Sequence, residues 1–200
     1  MDGSRWTIHA AFVNAMPTIF SHAIFSSALG AAYATEPSPG KFWFWAAVCS
    51  VLPDLDVIAF GLGISYRSVW GHRGITHSLM FALLAGSVIA WLAFRQEELS
   101  AMKRSRTSLA IFFTLAIASH LALDSLTDGG LGVAIFAPFD NTRYFAPWRP
   151  IEVSPIGADF FSTRGLMVLA SEMIWVWLPA LALAAIGKLF QRIVRSNNTT

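Results

Sequence analysis

Long apolar runs, separated by short polar or Gly/Pro-rich stretches, set the pattern of this chain. Five of them, at 18–34, 42–60, 75–94, 108–126 and 166–187, read as membrane-spanning helices. Each is close to the ~20 residues an α-helix needs to cross the hydrocarbon core. The first is the weakest, being short and rich in Ala and Ser. Glu36-Pro37-Ser38-Pro39-Gly40 is a tight connection, because paired prolines and a glycine cannot continue a helix. The stretch 129–157 is too long and too rich in Gly, Pro and aromatic residues to be a plain connector; loops of this length usually carry function, act as lids or anchor at the interface. No internal repeat is visible, and the only low-complexity segment is the polar tail 196–200. The expected architecture is one all-α domain over 1–200, a polytopic membrane bundle of about five helices with a long external loop.

The polar residues inside these runs are not scattered. His22 lies near the start of the first run, and Asp54 and Asp56 lie near the end of the second. His72 and His77 flank the start of the third, His120 and Asp124 close the fourth, and Glu172 comes early in the fifth. In an up-and-down bundle, alternating ends of consecutive helices share one side, so these groups should converge on one membrane face. Four of the five histidines fall in this set; His9 has no such company.

Composition agrees with the membrane reading. Apolar residues make up 55% of the chain and charged residues only 13%, against about a quarter in soluble domains. A net charge of +2 is too small to argue for nucleic acid, and the single Cys49 has neither a disulfide partner nor companions for a thiolate site. Lys41, Arg95, Lys103, Arg104, Arg106, Lys188, Arg192 and Arg195 crowd the short loops of one side. Arg5, Arg67, Arg73, Arg143, Arg149 and Arg164 are spread thinly over the other. The positive-inside rule places the denser set, with the carboxyl terminus, in the cytoplasm and the His/Asp cluster on the external face. Arg5, the apolar stretch after it and Ala32-Tyr33-Ala34 also loosely fit a cleaved signal peptide, although Pro17, His22 and the length argue against that reading.

The motifs carry the chemistry. His120 and Asp124 are four residues apart, so one helix face presents imidazole and carboxylate together. An aspartate at such depth costs roughly 2.5–3.5 kcal/mol near a helix centre. It must ligate a cation, hydrogen-bond to serines or helix ends, or pair with a cation such as Arg73. In Leu52-Pro53-Asp54-Leu55-Asp56, Pro53 removes a backbone donor, so helical geometry cannot be assumed for the two acids. Asp54 is expected as a ligand and Asp56 as its support or a general base. Trp70-Gly71-His72-Arg73-Gly74-Ile75-Thr76-His77-Ser78 is the most distinctive string. Its histidines suit a metal, Arg73 offers a fork for phosphate or carboxylate, and Thr76 or Gly74 can cap the following helix. Glu172 is expected as a further ligand, a proton acceptor, or a partner for Arg164 or Arg73. Arg143 and Arg149, in the long loop with Phe136, Phe139, Tyr144, Phe145 and Trp148, are candidate headgroup or phosphate contacts.

At Ser21-His22, Leu52–Asp56, Trp70–Ser78, Ser119-His120-x-x-x-Asp124, Thr127-Asp128-Gly129-Gly130 and Pro147-Trp148-Arg149-Pro150, the chain resembles the YdjM-type family. These are membrane-associated proteins described as metal-dependent-hydrolase-like and of unknown function. The match runs over about 17–178. Some members are described as binding the LexA repressor, a property not carried to this chain. The order His, Asp, His, then HxxxD is also similar to that of zinc-dependent phospholipase C. By that resemblance His22, Asp54, His77 or His72, His120 and Asp124 are implied as ligands. The phospholipase also uses a later HxxxE pair, whereas Val168 stands four residues before Glu172 here.

These readings together predict a metal-dependent hydrolase of the inner membrane. Zn2+ is expected, as one or two ions, because the set is His plus carboxylate without thiolate; Mn2+ or Fe2+ would accept the same donors. The expected substrate is a phosphoester or ester of a lipid or lipid-linked molecule, with Asp54 or Asp56 taking a proton and Arg73 offsetting negative charge. A metal-pinned regulatory or scaffolding protein and an ion transporter are the competing classes. The transporter is the poorer fit, since the cytoplasmic halves of the helices are nearly uncharged.

Overall fold

The structure is a computed structural model and describes residues 17–35, 38–154 and 160–197. Arg5, His9 and the rest of 1–16, Glu36 and Pro37 of the tight connection, 155–159 of the long loop and 198–200 of the tail lie outside the described residues.

Helices make up the architecture, and among the described residues extended pairing is confined to two isolated bridges, Thr127 with Ile151 and Val133 with Tyr144. In chain order the helices are α1 (Ile19–Tyr33), α2 (Gly40–Val51), α3 (Ile58–Gly61), α4 (Leu79–Leu92), α5 (Gln96–Ala101), α6 (Arg106–Ser125), α7 (Thr163–Glu172) and α8 (Leu178–Asn197). All five apolar runs are helical. Among the described residues, three continuous helical stretches are long and apolar enough to cross a membrane: Gly40–Gly61, Arg106–Ser125 and Thr163–Asn197. The runs at α1 and α4 are shorter, at 15 and 14 residues. The last extends ten residues beyond its expected end at 187, because its amphipathic end continues the α-helix past the apolar part.

Local chemistry sets the breaks. Pro53 cannot donate to the preceding turn, and the chain tightens at Leu52–Val57 into a 3-10 helix before resuming as α3. The third run likewise opens with a 3-10 turn at Ile75–His77, and α4 begins only at Leu79. Its cap is Ser78, whose hydroxyl accepts from the Phe81 amide at 3.1 Å; neither Thr76 nor Gly74, the expected caps, does so. Ser105 caps α6 in the same way through the Ser108 amide. Between α7 and α8, Met173–Trp177 forms a π turn.

The apolar core lies between α2, α4 and α6, where Phe42, Ala46, Cys49, Ala82, Ile89, Leu109, Phe113 and Ile117 are buried. Gly86 lets α4 lie directly against α6, since a Cβ there would meet the Thr114 backbone. This close backbone approach is how helices associate where lipid tails offer no hydrophobic driving force. On the outside, Leu83, Leu84, Val88, Trp91, Leu115, Leu181, Ile186 and Phe190 stay exposed. An apolar core wrapped in an apolar exterior is what a bilayer solvent demands. Within its described part, 129–154, the long loop packs onto the bundle: Val133, Ala134, Ala137 and Ile151 are buried, and Leu79 and Arg73 each share a backbone hydrogen bond with it.

Candidate metal centre

At one end of the bundle, four side chains from three stretches of chain point at a common spot. Asp54 comes from the 3-10 helix after α2, His77 from the turn before α4, and His120 and Asp124 from the last turns of α6. His120 Nε2 lies 3.1 Å from Asp54 Oδ1 and 3.8 Å from Asp124 Oδ2. His77 Nε2 lies 3.5 Å from Asp54 Oδ1 and 3.3 Å from Asp124 Oδ2. A tetrahedral zinc with ligands at about 2.0–2.1 Å has donor–donor edges of about 3.3 Å. The four edges bracket that value, so this donor set fits such an ion.

Tautomers sharpen the fit. His120 Nδ1 donates to the Ser50 carbonyl at 2.7 Å, so in a neutral ring Nε2 presents a lone pair to the Asp54 carboxylate. His77 Nδ1 faces Asp56 Oδ2 at 3.1 Å, and donating there leaves its Nε2 lone pair facing Asp54 and Asp124. His77 Nε2 and both Asp124 oxygens are buried without a hydrogen bond, the one cation near Asp124 among the described residues being Arg73, whose Nε stands 3.1 Å from Oδ2. Lone pairs cannot face one another in a buried site without a positive charge between them. Three carboxylates against the single Arg73 guanidinium leave a local charge of about −2 with neutral imidazoles, which a divalent cation would neutralise.

Asp56 belongs to a second, adjoining group with His72 and His77. His72 Nδ1 donates to Asp56 Oδ1 at 2.6 Å, while the Thr76 hydroxyl and the Arg73 amide donate to Oδ2 at 2.6 and 3.2 Å. The 2.6 Å spacing is a charge-assisted hydrogen bond rather than the edge of a coordination polyhedron. Asp56 therefore orients His77, the carboxylate–histidine arrangement that fixes ring and tautomer at metal sites. The 3-10 geometry brings both acids to the same neighbourhood. Residues i and i+2 diverge by about 160° around an α-helix, but by about 120° at three residues per turn.

The remaining candidates take other places. His22 stacks on His120, with ring centroids 3.7 Å apart, and its Nε2 is 3.8 Å from Asp124 Oδ1. It adjoins the four donors without being one of them, and neither ring nitrogen has a hydrogen-bond partner. Arg73 turns inward at a left-handed φ of 58° and is fully buried. Its Nε faces Asp124 Oδ2 at 3.1 Å, and its other nitrogens donate to Gly129 O and Thr127 Oγ1. That geometry leaves it no exposed fork for an anion; the pairing with Asp124 is what the structure contains. A Cβ on Gly74 would press into the Val69 carbonyl oxygen, and one on Gly71 into that of Ser65, so both glycines are needed for the sharp loop that buries Arg73.

Glu172 is buried away from the four donors. It accepts from the Thr18 amide and hydroxyl and from Ser21 Oγ, whose oxygen also takes the Trp177 indole hydrogen. It thus holds the start of α1, next to His22, instead of ligating or pairing with an arginine. Arg164 pairs with Glu152 and Arg73 with Asp124. Arg143 donates to the carbonyls of Tyr66, Ser68 and His72 and clamps the long loop onto the histidine segment. Arg149 is exposed and lies over the Phe145 ring. Tyr66 walls His72, and burial pushes its phenol above the ordinary value, so it stays a neutral donor. Sequence reasoning missed Ser50 and Tyr66, and it named Thr127 and Gly129 only within a family string without assigning their contacts to Arg73; these residues act through backbone carbonyls or from loops with no periodic signal.

Comparisons with known proteins agree with this picture of a membrane bundle. The chain is 36% identical over 169 residues to inner membrane protein YbcI of Escherichia coli (strain K12), covering 84% of this chain and 95% of that protein. No solved structure matches it. The profile of the YdjM inner membrane protein family matches residues 16–197, nearly the whole described chain, and the protein belongs to that family.

Proposed function

We propose that this protein is a membrane-bound metal-dependent hydrolase acting on a phosphoester or ester of a lipid or lipid-linked substrate. The observation that carries the reading is the convergence of Asp54, His77, His120 and Asp124, with their lone pairs directed at one point. Zinc is the preferred ion for two imidazoles and two carboxylates at these spacings. When bound, it would supply Lewis acidity toward a phosphoryl or carbonyl oxygen and make water a better nucleophile. The residues supply the rest. His77 and His120 are held in the ligating tautomer by Asp56 and by the Ser50 carbonyl. Asp54 is the only one of the four with an exposed side chain, at 18%, so substrate approaches past it and its outer oxygen takes the proton. Asp56, saturated by four partners, positions and does not accept. Phe136, Phe139, Tyr144 and Trp148 stand exposed on the same end and form a rim at the level of lipid headgroups. The positive-inside bias argues for the external face at this end.

The test is release of headgroup or acyl product from a panel of phospholipids and lipid-linked phosphates by purified protein, with and without chelator. Activity lost on chelation, restored by Zn2+ and absent in His120→Ala supports the reading. A metal-loaded protein that cleaves nothing in the panel overturns it in favour of a second reading. In that reading the metal only pins α2, α4 and α6 together, as the full burial of three of the four donors favours.

A further inference from the structure

The end of the bundle opposite the His/Asp cluster carries a cleft of about 920 Å³ between α1, α6 and α8. Its wall is apolar, with Leu29, Ile111, Leu115 and Phe190, and its mouth carries Arg104 and Arg195. Among the described residues no carboxylate lines it. The lining runs from Ser105, the cap of α6, along the helix to Leu115, ten helical rises or about 15 Å.

We infer that this cleft binds an anionic phospholipid, with the phosphate at the two arginines and an acyl chain along α6. Three observations argue for that occupant. The cleft is flanked by two helices long and apolar enough to cross a membrane, and Ile111, Leu115 and Phe190 are exposed there, so lipid tails have direct access. Its polar end coincides with the crowded basic end of the chain, where Arg104, Arg106, Lys188 and Arg192 gather. Arg104 is fixed in place beside the cleft: its Nη2 donates to the Tyr33 carbonyl and to Thr35 Oγ1, and its guanidinium lies over the Tyr33 ring. A preset guanidinium at the edge of an apolar slot is a recognition element for a phosphate ester on a hydrocarbon chain. Basic pockets between membrane helices bind anionic headgroups by this same combination. A small soluble anion would gain nothing from the apolar wall, and a neutral lipid nothing from the arginines. The site is separate from the metal centre and independent of the hydrolase reading.

The experiment uses full-length protein in detergent with equimolar phosphatidylglycerol and phosphatidylcholine, and reads retained lipid by native mass spectrometry. Wild type should retain phosphatidylglycerol preferentially. A basic residue near the surface is worth about fivefold in anionic-lipid binding, so Arg195→Gln should cut the preference about fivefold and Arg104→Gln/Arg195→Gln about twenty-five-fold. Leu115→Trp, which fills the slot, should reduce retention of both lipids. Glycerophosphate should not compete. Equal retention of the two lipids by wild type, an unchanged preference in Arg195→Gln, unchanged retention in Leu115→Trp, or full competition by glycerophosphate would each overturn the inference. Arg195→Gln and Leu115→Trp leave the Arg104 contacts to α1 intact, so they decide the matter even if the double variant fails to fold.

Discussion

Replacing His120 by alanine tests the metal centre most directly, because one ring makes three separable contacts. Its Nε2 supplies one of four convergent donors, its Nδ1 holds the Ser50 carbonyl at 2.7 Å, and its face stacks on His22 at 3.7 Å. Apparent binding free energies of structural zinc sites are about 10–16 kcal/mol, so losing one donor of four removes about 2.5–4 kcal/mol. That is a loss of about two to three orders of magnitude in affinity. The orphaned Ser50 carbonyl costs a further ~1–3 kcal/mol whether or not metal is present. The two contributions separate in one assay. Metal content is measured by elemental analysis after dialysis, and thermal unfolding is followed with and without chelator. Wild type should hold about one equivalent of zinc and lose unfolding temperature on chelation, because binding to the folded state alone stabilises it. His120→Ala should unfold earlier and show no further change with chelator. A His120→Ala protein that retains one equivalent through dialysis and still responds to chelator would refute the four-donor assignment.

Other substitutions discriminate the roles assigned around the centre. Asp56→Asn should weaken metal affinity by about 10–100-fold, less than His120→Ala, because it loosens the His77 ring without removing a ligand; equal losses would make Asp56 a ligand. Arg73→Gln leaves Asp124 buried without its guanidinium, and unfolding experiments should show a loss of about 3–5 kcal/mol; a variant as stable as wild type would refute a structural need for the Arg73–Asp124 pairing. Glu172→Gln should lower the unfolding temperature by weakening its charged hydrogen bonds to Thr18 and Ser21, at about 1.5–3 kcal/mol each, while metal content stays at wild-type level. Gly74→Ala should cost about 2 kcal/mol or more, because a Cβ cannot be seated against the Val69 carbonyl, and should release metal as the histidine loop shifts.

Much of the frame is legible in the chain because the signals are local. The five apolar runs announce helices through length and composition. The rhythm that puts acids and imidazoles at alternating helix ends predicts their convergence without any contact being known. What stays hidden depends on direction rather than position. The motif Trp70–Ser78 reads as an anion-binding turn, but the left-handed backbone at Arg73 sends its side chain into the interior, and nothing local marks that rotation. Glu172 looks like a ligand by depth, yet the unpaired amide at the start of α1 claims it first. Asp54 and Asp56 are two residues apart in one motif, and only the 3-10 turn after Pro53 decides which faces the donors and which faces His72. Ser78 was recoverable: a serine directly before an apolar run is the ordinary helix-start signature.

Choosing between a catalytic ion and a pinning ion turns on how matter reaches the centre. His77, His120 and Asp124 have no exposed side-chain surface, so any substrate must come in past Asp54. The surface next to that carboxylate is not water-loving: Leu55, Val57 and Ile58 are exposed on the 3-10 helix and α3. Trp70 stands exposed at the start of the histidine motif, and Phe139 on the loop that covers it. A hydrophilic substrate would have to cross that apolar collar at a cost in desolvation. A lipid presents its polar linkage with hydrocarbon attached, and the collar then becomes part of the binding surface. The same collar also explains how a closed pinning site would stay dry. The deciding property is whether Asp54 exchanges with solvent when metal is bound. Substituting Leu55 by glutamate places a competing charge at the entrance without touching the four donors. If the centre is catalytic, turnover of a lipid ester should fall while metal content is unchanged. Under the pinning reading, no metal-dependent turnover exists for the substitution to alter.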